Sequence, residues 1–155
     1  MAGKIDARLK ELGIEIAAAA APVANYVGYV QSGNLIFVSG QVTIEGGQFK
    51  HQGKLGAEIS LEEGQAAARL CATNIIGQLK SACGGDLDRV QRIVKLGGFV
   101  NSTPDFTDQP KVINGASDLM VEVFGDKGKH ARAAVSAGSL PMGVAVEVDC
   151  VAEIS

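Results

Sequence analysis

The chain is 155 residues long, the usual size of one domain with its own hydrophobic core. It carries 14 basic against 17 acidic side chains, a net charge of -3, without the run of like charges that a nucleic-acid-binding arm requires. Its longest apolar stretch, residues 16–24, is far shorter than the roughly 20 residues of a membrane-spanning helix, and the N-terminal residues match neither a secretory nor a transit peptide. We therefore expect one domain over residues 1–155, in the cytoplasm, with neither nucleic acid nor membrane as a partner.

The first predicted elements are a short helix and a β-hairpin. Residues 4–12 place apolar side chains at helical spacing within an N-terminal extension, residues 1–21. Residues 26–31 and 34–39 are rich in β-forming side chains and flank a Ser-Gly pair that is typical of a hairpin turn. The glycine-rich residues 44–56 predict a surface loop.

Two longer helices flank a strand in the middle of the chain. A capping box at Ser60 and Glu63 opens a helix whose apolar side chains recur at helical spacing as far as Leu79. The β-branched segment Val90–Asn101 predicts a strand. A second long helix is expected over residues 110–125, with proline in its first turn and glycine at its end.

The last two predicted strands, Ala131–Ala137 and residues 144–154, complete the order α, β, β, α, β, α, β, β. This order favours an α+β fold with a single mixed β-sheet and the two longer helices packed on one face. Both alternating faces of residues 35–38 are apolar, whereas a sheet wetted on one side alternates apolar with polar side chains. We therefore expect a homo-oligomer in which another copy covers the second face; the alternative is a core strand buried within the monomer.

An arginine and a glutamate in these two strands are the strongest candidates for chemistry. The strand period places Glu147 on the face away from the helices. If the strands close symmetrically into a hairpin, Arg132 lies opposite Glu147, although a register slip of one residue would separate them. The arginine could anchor a small acid at a subunit boundary while the glutamate handles a proton or holds a water molecule. The alternative is that the two charges simply neutralise one another.

Two further candidates lie in the predicted first hairpin. Tyr26 begins the first predicted strand, where its hydroxyl could reach a ligand, although a half-buried structural tyrosine is the alternative. Gly40 ends the second predicted strand and could leave backbone N–H groups free to donate to a bound carboxylate or carbonyl oxygen. A simple β-bulge explains the same glycine.

Other site classes find no support in the residue pattern. The three cysteines form no metal-spaced pair, their odd number argues against a disulfide framework, and we expect them to be buried apolar side chains. His51 and His130 lack a third ligand nearby, so we predict two surface histidines and no metal. Neither a phosphate-binding loop, a dinucleotide-binding glycine pattern nor a nucleophile elbow can be assembled.

Several segments in a fixed order resemble the RidA/YjgF family, also described as endoribonuclease L-PSP-like, over roughly residues 22–154. The segments are Tyr26, residues 33–41 (GNLIFVSGQ), Asp105-Phe106, Ala131-Arg132, Leu140-Pro141 and residues 144–148 (VAVEV). Because they occur together and in order, they are more specific than any single motif.

The resemblance implies a chorismate-mutase-like fold assembled as a homotrimer, with ligand sites in the clefts between subunits. It also implies hydrolysis of reactive 2-imino or enamino acids, released by pyridoxal-phosphate enzymes, to 2-oxo acids and ammonia, without a cofactor. In this chain Arg132 would bind the substrate carboxylate, Gly40 and Ala134 would supply backbone contacts, and Glu147 would position the attacking water. Tyr26, from the neighbouring subunit, and Phe106 would line the cleft.

The chain departs from the family pattern at several positions. Ala134 stands where the closest members often have cysteine, and His130 replaces the proline that commonly precedes the Ala-Arg pair. The N-terminal helix and a longer segment at residues 107–117 place the chain in a longer-chain branch. Two alternatives to the deaminase stay open: a non-catalytic or regulatory protein that binds small carboxylates, and a ribonuclease, which the net charge disfavours most.

Overall fold

The structure, a computed structural model, describes residues 3–19 and 24–155. Residues 1–2 and 20–23, which fall in the predicted extension and in the apolar stretch 16–24, lie outside the described residues. The helices are α1 (Lys4–Glu11), α2 (Leu61–Ala82) and α3 (Gln109–Phe124), and the strands are β1 (Tyr29–Ser32), β2 (Leu35–Gln41), β3 (Ile44–Glu45), β4 (Gln48–Phe49), β5 (Val90–Asn101), β6 (Ala131–Ala137) and β7 (Val146–Ile154).

Five strands form one mixed sheet in the order β1-β2-β7-β5-β6. Only β5 and β6 run parallel, and the other neighbouring pairs are antiparallel. Helix α2 packs against β2 and β7, and α3 packs against β5 and β6, so both longer helices cover the same face. The predicted α+β fold with a mixed sheet and two helices on one face is therefore confirmed. Residues 44–56 were expected to form a loop throughout, but they contain the small antiparallel hairpin β3–β4.

The longer helices begin and end where the sequence predicts. The Ser60 hydroxyl accepts a hydrogen bond from the Glu63 backbone N–H at 3.1 Å, which satisfies one of the free donors in the first turn of α2. Pro110 lies in the first turn of α3, and Gly125, with φ of 63°, ends it. The inward faces of both helices then fill the core against Ile36 and Leu96 of the sheet, which are fully buried.

The predicted hairpin between the last two strands is wrong. Strand β6 pairs in parallel with β5, and β7 lies on the other side of β5, between β5 and β2. The physical reason is the helix between β5 and β6: a strand, a helix and a strand form a crossover unit, which makes its two strands parallel neighbours. Strand β7 is then excluded from that edge of β5.

The sheet face opposite the helices carries apolar side chains that this chain does not cover. Side chains of Ile36 and Val38 are buried beneath the helices, but Phe37, between them, is 46% exposed. Val30, the register partner of Phe37, and Val135 on β6 are 54% and 48% exposed. We name this surface the free face. Among the described residues, no helix combines the length and apolarity needed to cross a membrane.

Candidate functional site

The carboxylate of Glu147 lies on the free face. Its neighbours Val146 and Val148 are buried toward the helices, and Glu147 itself is half-buried, as the strand period predicts. The carboxylate packs directly over Gly40 of β2, where a Cβ atom would lie 2.9 Å from Cδ and 3.2 Å from Cγ of Glu147. Gly40 therefore provides the space that the carboxylate occupies.

Gly40 also lies at an irregularity in the sheet. The register between β2 and β7 shifts between Val38 and Gln41, as a β-bulge would shift it. On the other side of this segment, the Ser39 hydroxyl donates to the Val27 carbonyl oxygen at 2.6 Å. The bulge that was the alternative explanation for Gly40 is therefore present, and it lies beside a candidate functional carboxylate.

The environment of Glu147 favours its protonated form. Burial raises the pKa of the Glu147 carboxyl, and the negative charge of Asp149, two residues along the same face, raises it further. Within residues 3–19 and 24–155, the Glu147 carboxylate has neither a hydrogen bond nor an ion pair. A half-buried carboxyl group with a raised pKa and no partner is suited to accept and release protons.

The raised pKa makes a prediction about stability. Below about pH 4.3, the ordinary glutamate value, the folded and unfolded chains both hold the proton and Glu147 contributes nothing to the pH dependence. As the pH rises through that value, the unfolded chain releases its proton first, so the folded state loses stability until the folded carboxyl also ionises. We expect the free energy of unfolding of Glu147→Gln, minus that of wild type, to increase between pH 4 and pH 7, measured by urea unfolding at one protein concentration. A decrease of this difference over the same pH range would instead indicate a cation beside the carboxylate.

Arg132 lies on edge strand β6 and points to the helix side of the sheet. Its register partner is the buried Leu96. The guanidinium Nη1 donates to Asn114 Oδ1 at 2.8 Å and to Ser117 Oγ at 3.2 Å, both on α3. Ala134, two residues further along β6, is half-buried and packs against the core beside Arg132 on the same face. The structure therefore fixes one end of the guanidinium against α3.

Arg132 and Glu147 do not meet within one chain, which corrects the predicted pairing. Glu147 is level with Phe99 and Val135, whereas Arg132 lies three residues earlier on β6, with β5 between the two strands. Two strand spacings and three residues of rise separate their Cα atoms by about 14 Å. Their side chains also point to opposite faces of the sheet.

The two aromatic candidates lie apart from Arg132. Tyr26 precedes β1, which begins only at Tyr29, so the expected position at the start of the strand is wrong. Its side chain is 56% exposed at the edge of the sheet opposite to β6. Phe106 is half-buried in the loop that follows β5, beyond the end of the strand and five residues past Asn101.

The candidates therefore fall into two groups. Gly40 and Glu147 form one group on the free face. Tyr26 precedes β1, the edge strand that neighbours the Gly40 strand β2. Arg132 and Ala134 form the other group, on the opposite edge and the helix side. A ligand that contacts both groups has to be bound between two copies of the chain.

Sequence analysis missed the residues that surround these two groups. Asp149 influences Glu147, and its position two residues along the same strand face was a usable signal. Asn114 and Ser117 contact Arg132, and their spacing of three residues, which places them on one face of the helix, was also visible. His130, expected to be a surface histidine, is partly buried, and its ring reaches Ser117, a contact that the sequence did not indicate.

The remaining reactive side chains offer no alternative centre. Cys71, Cys83 and Cys150 are buried, as predicted, and burial raises the pKa of Cys150 to about 12, which keeps it a thiol. Within the described ranges, no cluster of three or more His, Cys, Asp or Glu side chains could hold a metal ion.

Known proteins match both the sequence and the fold. The family model described as "YjgF/chorismate_mutase-like, putative endoribonuclease" matches residues 6–154. Protein TCP17 of Trypanosoma cruzi is 52% identical over 154 residues, which cover 99% of this chain and 96% of that protein.

Two crystal structures have nearly the same fold. The protein Atu1372 from Agrobacterium tumefaciens, of unknown function, is 48% identical with a TM-score of 0.92, and the match covers 97% of this chain and 92% of that one. A "putative endoribonuclease" from Shewanella oneidensis MR-1 is 37% identical with a TM-score of 0.93, over 98% of this chain and 100% of that one. The chain therefore belongs to the YjgF/chorismate mutase-like endoribonuclease family.

Proposed function

We propose that this protein hydrolyses reactive 2-imino and enamino acids to 2-oxo acids and ammonia in a cleft between two copies of the chain. The observation that carries the proposal is that two complementary functional groups lie on separate parts of the surface of one chain. Glu147 offers a half-buried carboxylate without a partner on one part of the surface, and Arg132 offers a guanidinium that is only partly used on another. Together they supply the two functions that imine hydrolysis requires, a carboxylate anchor and a group for proton transfer.

The reaction needs few participants. Arg132 binds the substrate carboxylate and thereby fixes the position of the adjacent imine carbon. Glu147 accepts a proton from a water molecule as the water oxygen bonds to that carbon, and the proton is then passed to the nitrogen. Glu147 then takes the proton of the new hydroxyl group and passes it to the nitrogen, the carbon–nitrogen bond breaks, ammonia leaves, and the carbon becomes the carbonyl of the 2-oxo acid. Gly40 and Ala134 supply backbone contacts, and Tyr26 of the neighbouring copy and Phe106 line the cleft.

The exposed apolar side chains of the free face favour assembly of copies through that face. Val30, Phe37 and Val135 expose large apolar side chains on that face, and exposed patches of this kind mark interaction surfaces. We propose a homotrimer, the assembly that the family resemblance implies. In such an assembly the edge strand β6 of one copy can approach the Gly40 and Glu147 of the next.

A second candidate function is binding of a small carboxylate without turnover. The observation that favours it is Ala134, which brings no reactive side chain to the position beside Arg132. The endoribonuclease activity in the family's description is less well supported, since a net charge of -3 repels a polyanion.

The deciding experiment measures the fate of 2-iminobutanoate, generated in place by threonine dehydratase and trapped with semicarbazide. We expect the protein to lower the yield of trapped imine in proportion to its concentration, because hydrolysis competes with trapping. A folded oligomer that binds 2-oxobutanoate saturably but leaves the trapped yield unchanged would contradict hydrolysis and favour the binding function.

The contact between Gly40 and Glu147 makes a second prediction for the same assay. In Gly40→Ala the added methyl group displaces the carboxylate, and we expect kcat to fall about tenfold because the water is then held out of position. Gly138→Ala is the matched control, since a Cβ atom at that exposed glycine meets nothing within 4 Å. Equal activity of the two variants would show that the position of the carboxylate is unimportant.

A further inference from the structure

Three side chains connect to Arg132 through hydrogen bonds: Asn114 directly, and Ser117 and His130 in a chain that ends at the backbone. Nη1 of Arg132 donates to Asn114 Oδ1 at 2.8 Å and to Ser117 Oγ at 3.2 Å. Ser117 Oγ lies 2.9 Å from His130 Nε2, and His130 Nδ1 lies 2.6 Å from the Gly128 carbonyl oxygen. The chain therefore runs from the guanidinium, through a hydroxyl and an imidazole, to the backbone.

The available protons fix the direction of most of these hydrogen bonds. Arginine can only donate, so Asn114 Oδ1 and Ser117 Oγ accept from it. A carbonyl oxygen can only accept, so the His130 Nδ1–H donates to Gly128. With Nδ1 as the protonated nitrogen, His130 Nε2 accepts from the Ser117 hydroxyl, and the bonds from Arg132 to Gly128 then all point the same way, an arrangement in which neighbouring hydrogen bonds strengthen one another.

The backbone holds both ends of this chain in place. Asn114 and Ser117 are three residues apart on α3 and therefore share one face of the helix. Gly128 packs so closely on α3 that a Cβ atom there would lie 2.9 Å from the Val121 backbone nitrogen. The carbonyl that accepts from His130 is thereby fixed relative to the same helix.

These contacts determine which edge of the guanidinium remains for a ligand. Both protons of Nη1 are used by Asn114 and Ser117, so a carboxylate cannot bind across Nη1 and Nη2. Among the described residues, Nε and Nη2 of Arg132 form no hydrogen bond, and their two parallel N–H groups match a carboxylate.

We propose that Asn114, Ser117 and His130 are positioning residues that hold Arg132 so that its Nε–Nη2 edge binds the substrate carboxylate side-on. The inference rests on the proposed function for the identity of the ligand, a 2-imino or 2-oxo acid. It also explains the departures from the family pattern. Histidine in place of proline at position 130, and the longer segment at residues 107–117, each bring a residue into this chain of hydrogen bonds.

The test combines a spectroscopic and a binding measurement on Ser117→Ala. We expect wild type to show two resolved Nη signals for Arg132 in nitrogen-15 NMR, because the hydrogen bonds to Nη1 hinder rotation, with the signals assigned by their loss in Arg132→Lys. In Ser117→Ala we expect these signals to merge and the Kd for 2-oxobutanoate to rise about tenfold. Ser117→Thr keeps the hydroxyl and should restore both properties. Ser136→Ala, which removes a different serine hydrogen bond from β6, should resemble wild type.

Resolved signals and an unchanged Kd in Ser117→Ala would overturn the inference, as would Ser117→Thr being as impaired as Ser117→Ala. If Ser117→Ala does not fold, His130→Phe removes the next link while keeping a ring, and the same merging of signals is expected. A wild type that neither binds 2-oxobutanoate nor hydrolyses the imine would defeat the proposed function. Merged signals in Ser117→Ala would then still support the orientation of Arg132.

Discussion

Replacement of Arg132 by alanine is expected to lower kcat/KM for 2-iminobutanoate hydrolysis by about 100- to 20,000-fold. The variant loses two hydrogen bonds between charged groups, each contributing about 1.5–3 kcal/mol. Since about 1.4 kcal/mol corresponds to a factor of ten, the two bonds together account for this range. Arg132→Lys keeps the positive charge but not the planar pair of donors, so its activity should lie between those of alanine and wild type.

The matched control for this prediction is Arg69→Ala. Arg69 forms an ion pair with Glu122 at 3.2 Å, in which both side chains are 41% exposed, and surface pairs of this kind contribute little to stability. We expect Arg69→Ala to retain wild-type kinetics. Equal losses in the two variants would indicate a general effect of lowered positive charge, and unchanged activity in Arg132→Ala would remove Arg132 from the site.

Mixing two inactive variants is expected to restore about one quarter of the wild-type activity. Alone, Glu147→Gln should lower kcat by about 100- to 10,000-fold, the usual range for loss of a proton-transfer group. Arg132 and Glu147 lie on opposite faces of the sheet in one chain, so each cleft of the proposed assembly takes one residue from each of two copies. In randomly mixed oligomers of Arg132→Ala and Glu147→Gln chains, about one boundary in four joins an intact arginine to an intact glutamate.

The variants are best mixed after dissociation in urea and then reassembled together, with each variant reassembled alone as the control. Chains carrying both substitutions should restore no activity to either single variant, because no boundary in those mixtures joins an intact arginine to an intact glutamate. Failure of the mixed sample to exceed the separately treated variants would contradict a site shared between copies. A specific activity that falls when the protein is diluted would be an independent sign of assembly.

The sequence predicted the bounds of individual strands better than it predicted which strands pair in the sheet. Val90–Asn101 and Ala131–Ala137 form strands with the predicted bounds, because turn-forming residues follow each of them, Ser102-Thr103-Pro104 after the first and Gly138 after the second. The pairing of the last two strands was wrong, since nearness along the chain was given more weight than the helix between β5 and β6. Treating those three elements as one crossover unit would have placed β6 correctly.

For the candidate site, too, the sequence predicted what local structure determines and missed what packing determines. The alternation of side chains along β7 placed Glu147 on the free face, because period-two geometry depends only on local structure. Its contact with Gly40 depends on a register shift between β2 and β7, which no local pattern encodes. The contacts of Arg132 with Asn114 and Ser117 likewise depend on how α3 lies over β6, a property of packing in three dimensions.

The position of β7 has a consequence for how the protein is made. It is the last strand in chain order, yet it lies in the middle of the sheet, between β2 and β5. While the ribosome is still translating, β1–β2 and β5–β6 can each form, but both expose an unpaired edge toward the gap that β7 will fill. The nascent chain therefore acquires its complete sheet, and with it Glu147, only after β7 has been translated, and a premature stop before Val146 would yield two half-sheets prone to aggregation.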